Sequence, residues 1–363
     1  MFNFWFFKKK DNIPENPGWV RDPVDHQDYR HEEILGSLAV VPWQEIDPKP
    51  EPMFPIKNQD RSSSCVGQTV SKTLGVVGYY ENGIYRDLSA RFPYAQRTNQ
   101  GLGMYMREAM EFGIKIGCPL EQILPSQNLS EEEMNKKSDI VVDVKQVALV
   151  YKAKSYLYCN LTFDNIAALL QQKIPVAIGV AGTNEGWVNT NGWVRPPKPG
   201  EEVWYHAMMI APENKKGQNF GLINGKKTLI VDNSWGVASS SGYRGQVFFT
   251  EEYLPSIRWN FYFLGLPDDW RDKEPENIEK PKASFDHDLF YGLKQDIHVI
   301  SLQKCLKWYG TFPKNLPETG NYYGITTEAV ESFQLNEGIA KADEAGYGRC
   351  GPKTREVLNK IFK

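Results

Sequence analysis

The sequence predicts an α+β protein that ends in a small helical domain. Helix-like apolar spacing comes early in the chain, after Cys65, and short runs of β-forming residues come later, up to residue 249. Helices followed by strands favour a helical lobe that faces a β-rich lobe, with a cleft between the two lobes. A charged, proline-rich stretch then separates three further helical patterns from this part of the chain.

The larger domain is predicted at residues 51–266, with helices after Cys65 and over residues 103–112. Its predicted strands are five short apolar runs, at residues 141–144, 175–180, 207–211, 228–231 and 246–249. Residues 1–50 are rich in Pro, Asp and Glu with little periodicity. We therefore expect them to form an extended arm laid over the domain that follows.

The end of the chain is predicted to be a linker at residues 267–285 and a three-helix domain at residues 286–363. Three separate groups of apolar residues at helical spacing support the three helices. A core of this size is small. Cys305 and Cys350 could form a bridge in it if the compartment is oxidising, although buried free thiols are the simpler interpretation.

Composition and charge argue against several kinds of partner. A formal net charge of -3 without a long basic run is not typical of a nucleic-acid-binding protein. No segment approaches the ~20 apolar residues that a membrane span requires. In residues 1–10 the apolar run precedes the lysines, which is the reverse of a secretory signal, so signal-dependent secretion is not predicted.

The sequence predicts no metal or cofactor. Its five cysteines include no CxxC pair, so a zinc ribbon is not indicated. Two short clusters, His26 with His31 and Asp286-His287-Asp288, lie on polar segments. Both are interpreted as solvated surface rather than metal sites.

Cys65 is a candidate nucleophile because of its position. Polar residues 58–64 lead directly into an apolar-periodic run that begins at Val66, which places Cys65 at a helix start. There the unpaired backbone N–H groups and the positive end of the helix dipole stabilise a thiolate. We therefore expect a thiol pKa below the ordinary value of ~8.5.

His206 and Asn233 are the candidate partners of this thiol. His206 is the one histidine between residues 32 and 286, and it opens a predicted strand from which its ring can project into the cleft; a satisfied core histidine is the alternative. Asn233 follows another predicted strand, with Trp235 two residues later. An amide oxygen at that position can hold the imidazole tautomer while the indole shields the hydrogen bond from water.

Together these segments resemble the papain family of cysteine peptidases over residues 54–265. The matching segments are Asn58-Gln59 before Cys65, His206-Ala207, Asp232-Asn233-Ser234-Trp235-Gly236 and Gly242-Tyr243. His206 lies 141 residues and Asn233 lies 168 residues after Cys65, near the ~130–150 that separate these residues in the family. The resemblance implies a two-lobed papain-like cysteine peptidase fold.

The resemblance also implies a role for each residue. Cys65 would attack a carbonyl as the thiolate of a pair with protonated His206, which then donates its proton to the leaving amine. Asn233 would orient the imidazole. The side chain of Gln59 and the backbone N–H of Cys65 would stabilise the oxyanion.

Substrate contacts are less specific in the sequence. Gly101 and Gly103 resemble the glycine-bearing wall of the family's cleft, and Trp235 lies beside the catalytic pair. Val66 and Gln68 stand where the family has a Trp and a further aromatic residue, so the resemblance predicts no particular substrate. A structural or adhesive virion component that keeps the fold without turnover is an alternative.

The last domain resembles peptidoglycan-binding-type domains over residues 293–362. The resemblance lies in a repeated pattern: Leu302-Gln303, Gly324 with Thr326-Thr327, Phe333-Gln334 and Gly351 with Thr354. In such a pattern Gly permits a tight turn and Thr caps the next helix. The Gln residues could serve packing rather than glycan contacts, and protein docking is the alternative role.

These features combine into the prediction of a cysteine-type endopeptidase that its last domain brings to bacterial peptidoglycan, acting on proteins or peptide cross-links. A bacteriophage protein, carried in the virion among its proteins or released at lysis, would reconcile wall affinity with the predicted lack of a signal. A bacterial enzyme, cytoplasmic or exported by another route, and a peptidoglycan amidase are the alternatives.

Overall fold

The computed structural model describes most of the chain, in two compact units. The described residues are 18–22, 30–39, 41–99, 101–239, 241–267, 280–312, 318–342 and 344–363. Among them, residues 18–140 and 148–267 form the larger unit, and residues 141–147 and 280–363 form the smaller one. Parts of the predicted arm and linker lie outside these ranges, so the domain boundaries stay predictions.

Helices precede most of the strands, as the sequence predicts. The helices are α1 (His31–Ile34), α2 (Cys65–Asn82), α3 (Arg91–Gln96), α4 (Met106–Lys115), α5 (Glu131–Met134), α6 (Val142–Val150), α7 (Phe163–Gln171), α8 (Asn184–Trp187), α9 (Ile297–Tyr309), α10 (Gly324–Asn336) and α11 (Pro352–Phe362), with short 3-10 helices at Lys137–Asp139 and Glu251–Ser256. The last three α-helices confirm the predicted three-helix domain. None of the helices in the described ranges is long and apolar enough to cross a membrane.

The strands come mainly from the second half of the larger unit. They are β1 (Trp19–Val20), β2 (Met104–Tyr105), β3 (Ser155–Leu157), β4 (Val176–Gly182), β5 (Trp204–Ile210), β6 (Glu213–Asn214), β7 (Gly217–Gln218), β8 (Phe220–Ile223), β9 (Lys226–Asp232), β10 (Gln246–Thr250) and β11 (Ile257–Leu264). The strand predicted at residues 141–144 is wrong, because α6 begins at Val142. An apolar run of four residues is too short to distinguish a helical from a strand period.

Helix α2 is the central helix of the larger unit, and its first fourteen residues are buried. It packs closely enough that a Cβ added at Gly75 would lie 2.3 Å from the backbone oxygen of Arg86. The helix ends at Gly83, whose φ of 79° is the left-handed conformation favoured by glycine. Its buried position fixes the backbone at Cys65, the first residue of the helix.

A seven-stranded antiparallel sheet faces this helix. Its order is β10-β9-β5-β4-β11-β3, and β8 also pairs with β9. His206 lies on β5 opposite Val180, and Met209 of β5 pairs with Asp232 at the end of β9. This pairing brings the segment after β9, which contains Asn233, to the strand that carries His206.

Two buried glutamines hold the smaller unit together. Gln303 on α9 donates to Thr326 Oγ1 (2.9 Å) and accepts from the N–H of Gly320 (3.0 Å). Gln334 on α10 repeats the arrangement, donating to Thr354 Oγ1 (2.8 Å) and accepting from the N–H of Gly348 (2.8 Å). Each glutamine thus connects its helix to the start of the next, and the repeated Gln pattern in the sequence has a structural role.

All five cysteines of the chain are free and buried. They are Cys65, Cys118, Cys159, Cys305 and Cys350. Cys305 and Cys350 therefore match the simpler interpretation given above, and apolar packing rather than a covalent bridge stabilises the smaller unit in this structure.

Candidate active site

The thiol of Cys65 lies at the start of α2 and is closed off from solvent. Its residue is 0% exposed. Burial raises the pKa of the Cys65 thiol to about 12, although backbone N–H groups of Ala207, Val66 and Cys65 itself act in the opposite direction. The predicted low pKa is therefore wrong for this closed state, because desolvation outweighs the helix N-terminus.

The imidazole of His206 is held by the side chain of Asn233. His206 Nε2 lies 2.8 Å from Asn233 Oδ1, and both residues are buried. An amide oxygen can only accept, so Nε2 carries the proton and Nδ1 is the basic nitrogen of the neutral ring. Asn233 Oδ1 is itself fixed, since it also accepts from the backbone N–H of Ser234 (2.7 Å).

The backbone of β5 connects this pair to the thiol. The backbone N–H of Ala207 acts on the Cys65 thiol to lower its pKa, and Ala207 directly follows His206 on the strand. The start of α2, the strand β5 and the segment after β9 therefore meet at one place. A thiol, an imidazole and an amide that are far apart in the sequence lie there on adjoining elements.

Three tryptophans surround His206. The ring of Trp235 lies 4.6 Å from the imidazole at an angle of 30°, and Trp204 and Trp187 lie 6.3 and 6.4 Å away. Trp235 thus covers the imidazole, as predicted for a shield. Trp204 was missed in the sequence, although it lies two residues before His206 and so on the same side of the strand; no sequence signal marks Trp187.

The side chain of Gln59 connects the loop before Cys65 to the segment after Asn233. Its Oε1 accepts from Ser234 Oγ (2.9 Å) and its Nε2 donates to the carbonyl of Ser62 (2.9 Å). An amide NH₂ has two hydrogens, so the second remains for a further acceptor. The residue is 1% exposed, which fixes its position relative to α2.

A buried ion pair that the sequence did not reveal joins the same two elements. Lys72 Nζ on α2 lies 2.8 Å from Asp232 Oδ2, and the two side chains are 3% and 2% exposed. Gln246 also donates to Asp232 (2.7 Å). Burial lowers the pKa of Lys72, and the attraction of Asp232 acts against this shift. Because Asp232 directly precedes Asn233, the pair fixes the amide relative to the cysteine helix.

The predicted glycine wall lies beside an open cavity. Gly101 is exposed, and it borders a cavity of about 370 Å³ that Arg97 and Glu131 also line. Arg97 is fixed by its stacking on Tyr94, with 3.8 Å between the guanidinium carbon and the ring centroid. Gly103 is buried instead, with φ of 82°.

Comparison with solved structures identifies the fold of the larger unit. Xylellain, a cysteine protease from Xylella fastidiosa, matches with 17% identity and a TM-score of 0.55, over 70% of this chain and 98% of that chain. The larger unit has the papain-like fold. Digestive procathepsin L 3 of Tenebrio molitor larval midgut matches with 17% identity and a TM-score of 0.51, over 68% of this chain and 76% of that chain.

A third papain-like match is proCathepsin B S9 from Trypanosoma congolense, with 14% identity and a TM-score of 0.52, over 69% of this chain and 87% of that chain.

For the smaller unit, residues 296–358 match the sequence model of the family described as "Putative peptidoglycan binding domain". The comparison with curated protein sequences found no match. The papain-like fold and the helical C-terminal domain are thus both confirmed.

In the papain-like unit, an N-terminal segment runs along the glycine wall. Strand β1 pairs in parallel with β2, and the carbonyl of Gly18 accepts from the N–H of Met104 (2.9 Å). A Cβ added at Gly18 would lie 1.9 Å from the backbone oxygen of Ser63. One added at Gly103 would lie 2.5 Å from the backbone oxygen of Gly18. The segment therefore passes between the loop before Cys65 and the glycine wall.

The side chains of Trp19 and Asp22 anchor the segment Gly18–Asp22 to the papain-like unit. The ring of Trp19 is 4% exposed, packs 5.7 Å from Tyr205 and would contact a Cβ added at Gly179. Asp22 is buried and accepts from the first two backbone N–H groups of α4 (3.1 and 2.8 Å). Desolvation raises the pKa of this carboxyl group, although these hydrogen bonds partly offset the shift.

Deleting residues 1–22 is expected to increase the rate at which iodoacetamide modifies Cys65 at pH 7.5 by at least about tenfold. The thiol reacts only when its surroundings open, and the contacts of Gly18 and Trp19 oppose that opening. The rate would be measured by mass spectrometry of the peptide that contains Cys65.

The control is a chain that lacks only residues 1–17 and so keeps Gly18 to Asp22. We expect this chain to react at the rate of the full-length protein. Equal rates for all three chains, with unchanged melting temperatures, would show that the segment does not restrict access to Cys65.

Proposed function

We propose that this protein is a cysteine peptidase that hydrolyses peptide bonds and acts at the bacterial cell wall. The observation that carries the proposal is the meeting of three distant segments: His206 Nε2 lies 2.8 Å from Asn233 Oδ1, and the backbone N–H of Ala207, the residue after His206, acts on the thiol of Cys65. The papain-like fold supports this assignment, because the named relatives with that fold include a cysteine protease. The match to a peptidoglycan-binding family supports the location.

In the proposed reaction, the proton of Cys65 passes to Nδ1 of His206 and the thiolate attacks the substrate carbonyl. His206 then donates that proton to the leaving amine, and a water molecule hydrolyses the resulting acyl-enzyme. Asn233 holds the ring so that Nδ1 remains directed to the reaction. The second hydrogen of Gln59 Nε2 and the N–H of Cys65 stabilise the oxyanion.

The raised pKa of Cys65 limits when this reaction can start. A thiol with a pKa of about 12 is almost entirely protonated at neutral pH. Opening the site to water and substrate removes part of the desolvation that raises the pKa. The thiolate and imidazolium then stabilise each other, and the start of α2 adds its dipole to the thiolate.

An epoxide-type inhibitor of thiol peptidases tests the proposal directly. Applied at pH 7.5 to the chain that lacks residues 1–22, it should label Cys65 and leave Cys118 and Cys159 of the same unit unlabelled. His206→Ala should slow labelling at Cys65, because the imidazole accepts the thiol proton. Failure to label Cys65 in the folded, truncated chain would reject an activated cysteine.

A catalytically silent structural or adhesive virion component is the second candidate. The complete burial of Cys65 and its raised pKa are the observations that favour it. The two candidates differ in the labelling experiment, since a silent site stays unreactive after residues 1–22 are removed. A virion or lysis setting, and the partners it would supply, stay predictions from the sequence.

The smaller unit is proposed to hold the enzyme on peptidoglycan, through aromatic rings at its surface. Tyr291 is 60% and Phe290 is 43% exposed, and Tyr291 packs edge-on against Tyr323 with 5.4 Å between ring centroids. Exposed rings of this kind offer apolar faces to a sugar. The substrate would then be a protein or peptide cross-link near the point of attachment.

The full-length chain should therefore sediment with purified murein sacculi, whereas a chain that ends at residue 266 should stay in the supernatant. Tyr291→Ala should reduce the bound fraction by at least about tenfold, the loss expected when an aromatic anchor is removed. The control is Leu335→Ala, which removes an exposed aliphatic side chain (52% exposed).

Equal sedimentation of the full-length and shortened chains would exclude wall attachment through the smaller unit. Incubation of the same sacculi with the protein also tests the amidase alternative. An amidase releases amino groups from murein without cleaving a protein substrate.

A further inference from the structure

We propose that the smaller unit binds a divalent transition-metal ion, of which zinc is the representative, through Asp286, His287 and His298. One carboxylate oxygen and one nitrogen of each imidazole all lie within 4.8 Å of one another. The two imidazole rings are 4.4 Å apart at an angle of 85°. This site is separate from the residues of the proposed peptidase reaction and does not depend on them.

The donor set is one that zinc uses. In proteins zinc takes imidazole nitrogens and carboxylate oxygens at ~2.0–2.2 Å, commonly three protein ligands with water in the fourth position. A tetrahedral ion places its ligand atoms about 3.3 Å apart at those bond lengths. Donors already within 4.8 Å can reach this spacing by small side-chain rotations. Without a thiolate among the donors, zinc, copper or nickel is favoured over softer ions.

The hydrogen bond between two of the ligands is where the ion would enter. His287 Nδ1 lies 2.6 Å from Asp286 Oδ1, and this contact requires one shared proton. An ion that bonds to both atoms takes the place of that proton. Binding should therefore release a proton, so the affinity for the ion should fall as the proton concentration rises.

The segment that carries Asp286 and His287 is fixed to the rest of the unit on both sides of these two ligands. Phe285, next to Asp286, exchanges two hydrogen bonds with the side chain of Asn359 (2.7 and 2.8 Å). On the other side, Leu289 and Cys350 exchange two backbone hydrogen bonds (3.2 and 2.9 Å). This anchoring limits the conformational entropy that metal binding would cost.

The second segment is the first turn of α9. The two other acidic residues close to the ligands in the sequence already have partners. Asp296 caps α9 by accepting from the N–H of His298 (2.7 Å), which fixes the backbone of that ligand. Asp288 pairs with Arg349 (2.8 Å) and Arg355 (3.0 Å). It is therefore unavailable as a ligand, and Asp286 is the carboxylate that faces the two rings.

Bound zinc would connect the segment that enters the smaller unit to its first helix. Residues 286 and 287 precede α9, whereas His298 is its second residue. An ion shared by these two segments stabilises the folded unit over the unfolded chain in proportion to its occupancy. The expected role is thus to fix the start of the smaller unit rather than to carry out chemistry.

Calorimetric titration with zinc chloride at pH 7.5 tests the site. The protein would be the full-length chain without an affinity tag and with Cys65→Ala, which removes the thiol of the candidate active site as a competing ligand. We expect one ion per chain and a higher melting temperature that a chelator reverses. Calcium chloride, which prefers all-oxygen sites, should produce neither effect.

Variants identify the ligands. His287→Ala and His298→Ala should each weaken zinc binding by at least about tenfold, and Asp286→Asn should also weaken it. His26→Ala is the matched control and should leave the affinity unchanged. Because the three ligands are exposed or half-buried, the variants should melt like the parent chain when no zinc is present.

Two results would overturn the proposal. One is the lack of any zinc binding to the full-length chain. The other is binding that persists at full affinity in both His287→Ala and His298→Ala, which would place the ion elsewhere.

Discussion

Replacing Cys65 by alanine is expected to reduce peptide hydrolysis by at least about a thousandfold. The proposed reaction needs a nucleophile at this position, and a methyl group cannot form the acyl-enzyme. The change removes a single sulfur atom from the start of α2. The measurement is the initial rate of cleavage of an unstructured protein substrate by the chain that lacks residues 1–22.

Cys159→Ala is the matched control for this prediction. Cys159 is also a buried free thiol of the larger unit, 1% exposed, and it has no part in the proposed reaction. We expect this variant to retain the parent rate, or to lose activity only in proportion to any loss of folded protein. Hydrolysis that survives Cys65→Ala in a folded chain would reject the assignment of the nucleophile.

Breaking the buried ion pair between Lys72 and Asp232 is expected to lower the free energy of unfolding by about 3–5 kcal/mol. Lys72→Met leaves the carboxylate of Asp232 buried without its cationic partner, although the hydrogen bond from Gln246 remains. The loss should appear as a lower midpoint in urea unfolding. Because Asp232 precedes Asn233, kcat should fall as well while KM changes little.

The double variant Lys72→Met with Asp232→Leu distinguishes charge from shape. Removing both charges leaves no uncompensated carboxylate, so much of the stability should return. Rescue of stability without rescue of kcat would indicate that the pair positions Asn233. If Lys72→Met is as stable as the parent chain, the pair does not hold the two elements together.

The loss of stability caused by Lys72→Met is expected to depend on pH. The folded state holds the proton of Lys72 less tightly than the unfolded chain, since burial lowers its pKa from 10.5. Between the folded pKa and 10.5 the unfolded chain therefore binds more protons, and the contribution of Lys72 to stability rises with pH. The difference in unfolding free energy between parent and Lys72→Met should increase with pH in that range.

The residues of the candidate site could be found in the sequence because the chemistry restricts each of them locally. A polar loop before an apolar helix marks Cys65, and a single histidine on an apolar strand marks His206. The order and spacing of these residues and the segment around Asn233 added the family resemblance. Each signal needs only a short window of sequence, and the structure places the three windows together.

Properties that depend on the folded surroundings could not be predicted. The pKa of Cys65 follows from complete burial, which a helix-start pattern does not report. The ion pair of Lys72 joins residues 160 positions apart, and nothing in the sequence connects two such charges. His31 was interpreted as solvated surface, but it is buried and hydrogen-bonded to Tyr262, so that interpretation is wrong. His26 lies outside the described residues.

The absence of a disulfide among the five cysteines has a practical consequence. Dithiothreitol unfolds many proteins that depend on disulfides, but this structure contains no disulfide for it to reduce. Storage and assay buffers can therefore contain millimolar amounts of it. Oxidation of Cys65, the proposed nucleophile, can be prevented in this way without reducing a disulfide in either unit.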